Sequence, residues 1–469
     1  MFAPDPIKFG TDGWRAVIAD AFTFERVAQV AQASARILTR TYPGDGILIG
    51  YDNRFLSEHF AQRAAEAVAA LGIPVKLSSL AAPTPALSWA AHQQGAHGAL
   101  VITASHNPPQ YSGIKVKGGF GGSVPAEVTH DIERELIDGS TLVLGSRSAS
   151  PVEMFDPWPA YLQQLSRFVD LDQLNTLSAK VWVDSMFGSA AGGMTRLLGD
   201  KVHEVRGYRD PLFGGYAPEP LPPQLAPTMT EIAADPAVLK VGIVFDGDGD
   251  RIAAIDGNGT FLSPQILIPI LIEHLAKRRG LTGEVVKTVS GSQLFDKVTT
   301  LYGLPLTETA VGFKYIAERM MNTAVLLGGE ESGGIGYLGH IPERDAMLSA
   351  LYLLEAIADT GTDLSDIYRR IQAEVGYVST YDRIDLKLDD KERQTRLLAS
   401  LHSDPFEKVA GRKVTRHITT DGHKFVLEDG NWLMVRGSGT EPLLRLYCEG
   451  INKPATDEIL AWAKDWALR

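Results

Sequence analysis

Cysteine is nearly absent: one residue, Cys448, in 469. No intrachain disulfide and no cysteine-based zinc site can form, which fits a reducing, cytoplasmic compartment. Within "LRLYCEG" the lone thiol reads as a small buried strand residue. Long apolar runs are missing too. The most apolar stretch, "ILIPILIEHLA", is interrupted by Pro269 and Glu273 and falls well short of the roughly 20 residues that span a bilayer. The N-terminal "MFAPDPIKFG" has neither the basic segment nor the apolar core of a secretory signal, so none is expected. Basic excess is also lacking. A net charge of -12 and a pI near 5.4 argue against nucleic acid or an anionic membrane as partner. They leave anionic small molecules open, because a basic loop acts locally at short range. No segment is of low complexity. What remains is 44% hydrophobic and 22% charged, enough for ordinary globular cores, in a chain long enough for three or four domains.

One unit recurs: an apolar, β-branched run ends in a cluster of Gly, Asp or Ser, and a helix-like segment is expected next. "ILIGYDNR" (47–54) precedes "SEHFAQRAAEAVAALG", where Phe60, Ala64, Ala67, Val68 and Leu71 share a face, Ser57 can cap and Gly72 ends the helix. "GALVITASHN", "VWVDSMFGSA", "VGIVFDGDGD", "VVKTVSGSQ" and "AVLLGGEESGG" repeat the pattern. Alternating strands and helices predict an α/β class with mostly parallel sheets, whose ligands gather beyond the strands' carboxyl ends. The clusters fall in pairs, which predicts three tandem α/β domains of similar topology. After about Gly376 alternation changes, and Asp421-Gly422 and Asp429-Gly430 read as hairpin turns, so a smaller α+β domain closes the chain. The expected domains are residues 1–148, 149–256, 257–374 and 375–469. The proline-rich "APEPLPPQLAPT" (217–228) reads as a surface loop inside the second.

The strongest chemical signal is "FDGDGDRI". Asp246, Asp248 and Asp250 alternate with two glycines directly after an apolar run. Carboxylates so close raise one another's pKa unless a cation sits among them, and hard oxygen ligands select Mg²⁺ or Ca²⁺ over zinc. An EF-hand fails because Arg251 and Gly257 stand where it needs Gly and Glu. "VRGSGTEPLLR" (435–445) offers backbone N–H groups, two hydroxyls and Arg436 to a phosphate, without a Walker lysine. "GGEESGG" (328–334) puts Glu330 and Ser332 on a glycine-flanked loop, able to bind sugar hydroxyls. Arg15 in "FGTDGWR" and Lys314 in "VGFKYI" follow turns and carry little meaning singly. Ser105 and His106 in "VITASHNPPQYSGIKV" suggest a nucleophile and its base. Neighbours on an extended strand point to opposite faces, though, so His106 is poorly placed to take the proton of Ser105 unless the turn is unusual. No G-x-S-x-G elbow marks a hydrolase. A serine on a loop stiffened by Pro108-Pro109, beside a magnesium cluster, points to phosphoryl transfer.

Together "TASHNPPQYSGIK", "DGDGDR", "GEESGG" and "RGSGTEP", in this order, resemble the α-D-phosphohexomutase family over all four expected domains. The resemblance implies that Ser105 carries the phosphoryl group and completes a shell for one Mg²⁺ with Asp246, Asp248 and Asp250. It implies interconversion of sugar 1- and 6-phosphates through a 1,6-bisphosphate, here glucose 1,6-bisphosphate. Lys115 matches a general base, its pKa lowered by burial and the adjacent cation. Arg15 and Arg251 match arginines near the phosphoserine, and His106 a histidine supporting the reacting groups. Glu330 and Ser332 match the pair that reads two sugar hydroxyls, while Arg436, Ser438, Gly439 and Thr440 match the loop gripping the second phosphate, with Lys314 a further substrate contact. Arg344, in a segment that departs from the pattern at Ala346, matches only a minor substrate contact. Glucose is the expected sugar, with a phosphomannomutase or a bifunctional mannose/glucose enzyme as the alternative and a phosphoglucosamine mutase less expected, because phosphoglucosamine mutases more often carry glutamine at the place of Glu331 and some bifunctional mannose/glucose enzymes carry histidine at that of Gly334. The implied state is a monomer or homodimer.

Overall fold

The apolar runs form the strands of four sheets in a computed structural model that describes residues 6–10, 12–138, 142, 150–438 and 442–469. In sheet order, the first has Trp14–Val17, Tyr111–Gly118, Gly98–Ile102, Ile47–Tyr51, Val75–Ser78 and Val152–Phe155. The second has Phe261–Leu262, Ile252–Ile255, Lys240–Phe245, Lys180–Asp184 and Val202–Val205, and the third Leu306–Thr309, Glu284–Thr288, Val325–Gly329 and Ile335–Tyr337. Each has a parallel centre and an antiparallel edge. The fourth, from Thr380–Lys387 to Lys408–Val409, is antiparallel throughout. Hairpins turn at Gly422 and Gly430, both at positive φ. Cys448 is buried in a strand there, and burial pushes its thiol up.

The paired clusters behave differently from one another. The first of each pair leads into a helix: Ser57–Ala69, Gly193–Leu198 and Gln293–Leu301. The second, contrary to expectation, turns straight back into an antiparallel strand, so the loops at 103–110, 246–251 and 330–334 are hairpin loops. The cause lies just beyond each cluster, where "YSGIKV", "IAAI" and "IGY" are too short and too continuously buried for an amphipathic helix. Two expected boundaries also cut sheets. Val152–Phe155 pairs with Val75–Ser78, and Phe261–Leu262 pairs with Ala254 and Ile255.

Two local expectations change. Leu56, in the left-handed region, occupies the N-cap of helix Ser57–Ala69, and the Ser57 hydroxyl donates instead to Asp52 Oδ1 at 2.7 Å. The helix does bury Phe60, Ala64, Ala67 and Val68. The proline-rich segment is helical from Pro222 to Ala234 and buries Leu225 and Thr228. Prolines in the first turn lose no hydrogen bond and arrive with helical φ.

One continuous core joins the first three domains through Leu87, Trp158, Val183, Ile243, Leu267 and Leu351. Truncating a fully buried leucine such as Leu351 to alanine costs about 2–5 kcal/mol. The fourth domain packs its own core of Phe425, Leu433, Leu446 and Ile459. It meets the third through Val289, Trp432, Met434 and Tyr447. Among the described residues no helix is long and apolar enough to cross a membrane.

Candidate active site

The three hairpin loops meet at one place. Ser105 Oγ donates to Asp246 Oδ2 at 3.0 Å. Ile252 N donates to Gly333 O, and Arg251 bridges Gly334. Ser105 is 1% exposed and sits at φ +54, a left-handed conformation that costs a non-glycine residue on the order of 1 kcal/mol. That conformation corrects the expectation for His106. It turns the next residue alongside, and His106 Nδ1 lies 3.3 Å from Ser105 Oγ. Burial, then Arg251 and Arg15, hold the imidazole well below its ordinary pKa, so it stays neutral.

Asp246, Asp248 and Asp250 are fully buried, with one oxygen of each within 4.8 Å of the others. The glycines between them are demanded by crowding. A Cβ at Gly247 would lie 2.5 Å from Ser105 O, and Gly249 has φ +66. Asp246 Oδ1 accepts from the N–H groups of Asp250 and Arg251, each at 3.1 Å. Burial, with Asp248 and Asp250 adding to it, pushes the Asp246 carboxyl well up. Asp248 breaks the expectation of mutual raising. Burial lifts it, but Lys115, the Thr84 hydroxyl at 2.5 Å and Arg344 hold it below the usual carboxylate range. Asp248 Oδ1 and Asp250 Oδ1 are buried without a hydrogen-bond partner. Unanswered hard oxygens on a strand-end loop fit a divalent cation.

Lys115 also departs from expectation. Its Nζ lies 2.9, 2.7 and 2.6 Å from Asp12, Asp248 and Asp250. Burial favours the neutral amine, but the three carboxylates outweigh it and hold the ammonium above its ordinary pKa. In this arrangement Lys115 is a cation rather than a base. Arg15 donates to Asn107 Oδ1 at 2.7 Å. Burial lowers its pKa; Asp12 opposes this, while the charge of Arg251 lowers it further. Two guanidinium groups that repel each other and both act on His106 form a place that a phosphate dianion would relieve.

Glu330 is buried, accepts from Gly312 N at 3.1 Å and has its carboxyl pushed up to about 7, mainly by burial. Ser332 is half-buried on the same loop. Lys314 is in the first turn of helix Phe313–Asn322, its ammonium 5.1 Å from the Tyr315 ring centroid. Arg436 Nε donates to Asp421 Oδ2 at 2.9 Å, and the same oxygen takes Val311 N at 3.1 Å, tying the Lys314 loop to the fourth domain. Ser438 O accepts from Lys391 at 2.6 Å. Gly439 and Thr440 lie outside the described residues.

Several residues at the junction escaped the sequence reading. Asp12 pairs with Lys115, Lys117 and Arg344. Arg344, given only a minor part, also reaches Asp250 at 2.7 Å. Glu343 holds Lys117 at 2.6 Å. Arg54 is wholly buried behind the serine loop. Only the "GTDG" turn hinted at Asp12; the others are single residues whose partners lie far along the chain.

Models of four successive domains match along the length: phosphoglucomutase/phosphomannomutase alpha/beta/alpha domain I over residues 6–141, domain II over 159–259, domain III over 263–374 and the C-terminal domain over 386–462. The chain belongs to the phosphoglucomutase/phosphomannomutase family. As a phosphohexomutase it is an isomerase. It is similar to the phosphoglucomutase/phosphomannomutase of Thermococcus kodakarensis, 28% identical over 462 residues and 96% of each chain. It is also similar to the phosphoglucosamine mutase of Thermotoga sp. strain RQ2, 30% identical over 458 residues, 96% of this chain and 97% of the other. A crystal structure from Thermus thermophilus, provisionally named a phosphomannomutase, superposes with a TM-score of 0.87 at 33% identity over 100% of both chains. Among these phosphohexomutases the sugar named differs, so the family fixes the reaction type and not the sugar.

Proposed function

We propose that this phosphohexomutase interconverts glucose 1-phosphate and glucose 6-phosphate, with Ser105 as the phosphoryl carrier and glucose 1,6-bisphosphate as the intermediate that turns over in the site. The observation that carries this reading is the Ser105 hydroxyl, 3.0 Å from Asp246 at the edge of the buried carboxylate cluster. Asp246, Asp248 and Asp250, with a phosphate oxygen on Ser105, would hold one Mg²⁺, which when bound neutralises charge on the transferring group. Arg15 and Arg251 orient the phosphoryl oxygens beside Ser105. Lys115 and Arg344 fix the aspartates that face it. His106, neutral and 3.3 Å from Oγ, sets the serine hydroxyl. Glu330 and Ser332 take two sugar hydroxyls in either orientation of the ring. Lys314, Arg436, Ser438, Gly439 and Thr440 grip the phosphate that is not reacting.

Glucose is favoured by two positions. A Cβ at Gly334 would lie 2.2 Å from Arg344 Cδ, so the histidine of some mannose/glucose enzymes does not fit while Arg344 holds Asp250. Glu331 stands where phosphoglucosamine mutases carry glutamine, and its carboxylate accepts from Ser290 at 2.6 Å. The test supplies glucose 1-phosphate, Mg²⁺ and a trace of glucose 1,6-bisphosphate, and reads glucose 6-phosphate formed. Mannose and glucosamine 1-phosphates run beside it. Faster turnover of either replaces glucose as the sugar, and no isomerised product from any of the three overturns the reading.

A further inference from the structure

We propose that Arg54 is the positioning residue that aims Ser105. Its guanidinium lies behind the serine loop, out of reach of solvent. NH2 donates to the carbonyls of Ser105 and Asn107, each at 2.6 Å. NH1 donates to those of Pro108 at 2.9 Å and Tyr111 at 3.0 Å. All four terminal N–H groups are thus spent on main-chain oxygens, three in the serine loop and one at Tyr111 where the next strand begins, and lysine cannot reproduce that planar fork. The fork is itself fixed. Asp52 Oδ2 lies 3.2 Å from Arg54 Nε, Asp52 Oδ1 takes Arg54 N at 3.0 Å, and the Ser57 hydroxyl steadies the same oxygen. On the other side, the Phe213 ring from the second domain covers the guanidinium at 4.9 Å.

The consequence falls on Ser105. Its left-handed backbone, unfavourable for a serine, puts Oγ between Asp246 and His106. Holding the carbonyl of Ser105 and those of three residues after it prevents the loop from relaxing into an extended form that would swing Oγ away. Arg54 does this from the main-chain side and touches no reacting atom. No sequence pattern marks it, because the hydrogen bonds link residues 51 to 57 positions apart.

This rests on Ser105 as phosphoryl carrier. In the step concerned, Ser105 Oγ forms its bond to phosphorus and loses its proton, while the departing sugar oxygen loses phosphorus and gains one. The test compares wild type, Arg54→Lys and Arg54→Gln after incubation with glucose 1,6-bisphosphate and Mg²⁺. It reads phosphorylation of Ser105, transfer back to glucose 6-phosphate, and loss of the phosphoryl group to water. Both variants are expected to transfer about 100-fold more slowly. KM for glucose 1-phosphate, Mg²⁺ affinity and hydrolysis by water should stay within about threefold of wild type. Transfer at the wild-type rate in either variant overturns the proposal, and retention in Arg54→Lys alone would show that charge, not the fork, matters. Equal losses in kcat, KM and Mg²⁺ affinity, which mark general damage, would overturn it too. Should both variants fail to fold, Asp52→Asn, which loosens the guanidinium and leaves it in place, is expected to slow transfer about tenfold at unchanged KM; an unchanged rate there overturns the proposal as well. A wild-type enzyme never phosphorylated at Ser105 would overturn the proposed function itself, a result separable from any behaviour of Arg54.

Discussion

The junction of the three hairpin loops and the proposed phosphate loop of the fourth domain are built in different ways. At the junction Ser105, Asp246, Asp248, Asp250 and Lys115 are all essentially inaccessible, and each has a partner in another domain. At residues 436–438 Arg436 leans on Asp421, which also bonds the third domain, and Ser438 is held from within the fourth domain by Lys391 and Gln394. The first three domains share a core, while the fourth has its own. The contrast teaches that the proposed reacting groups sit where the first three domains share a core, whereas the proposed grip on the distant phosphate comes from a domain with its own core, joined to the third through Val289, Trp432, Met434 and Tyr447.

Substitutions can break this contrast, and the largest effect belongs to the junction. Ser105→Ala should lower isomerisation about a thousandfold or more at unchanged thermal stability, read by product formation and melting; retained turnover contradicts the assignment. Next, Asp248→Asn should weaken Mg²⁺ at least as much as loss of an outer partner does, about 100-fold, read by titrating turnover with the metal. An unchanged titration would detach the cluster from the cation. At the other region, Arg436→Gln should raise KM for glucose 1-phosphate about tenfold to 100-fold, the worth of charge-assisted hydrogen bonds, with kcat little changed. An equal fall in kcat would erase the distinction between the two regions.

The smallest effect sharpens the account of burial. Glu330, with its carboxyl pushed up to about 7, is raised above its unfolded value. The stability linked to its protonation is therefore full below the ordinary glutamate range and lost as pH rises through 7. Glu330→Gln does not titrate. Its urea-unfolding stability relative to wild type should improve by on the order of 2 kcal/mol between pH 5 and pH 8. A difference that stays constant with pH would contradict the burial argument.

Legibility in the sequence followed the same division. The aspartate triad was readable because three carboxylates and two glycines in a row repel one another unless a cation joins them. The α/β class and the antiparallel last domain were readable from the period of the apolar residues. Helix versus hairpin after each cluster was not, since it depends on a few buried residues beyond the loop. Ser105 was visible as a hydroxyl on a stiffened loop, but its contact with His106 hinges on one positive φ. Asp12, Arg54 and Arg344 were invisible as partners, because contacts such as that of Arg344 with Asp12 join residues 332 positions apart. The three carboxylates that surround Lys115 and hold its ammonium were invisible for the same reason, because they come from two other loops.

The central claim is that Ser105 carries the phosphoryl group, and peptide mass mapping tests it most directly. After incubation with glucose 1,6-bisphosphate and Mg²⁺, the peptide holding Ser105 should gain the mass of one phosphoryl group and lose it again when glucose 6-phosphate is added. No gain on that peptide, or a gain that the sugar phosphate cannot remove, would contradict the account.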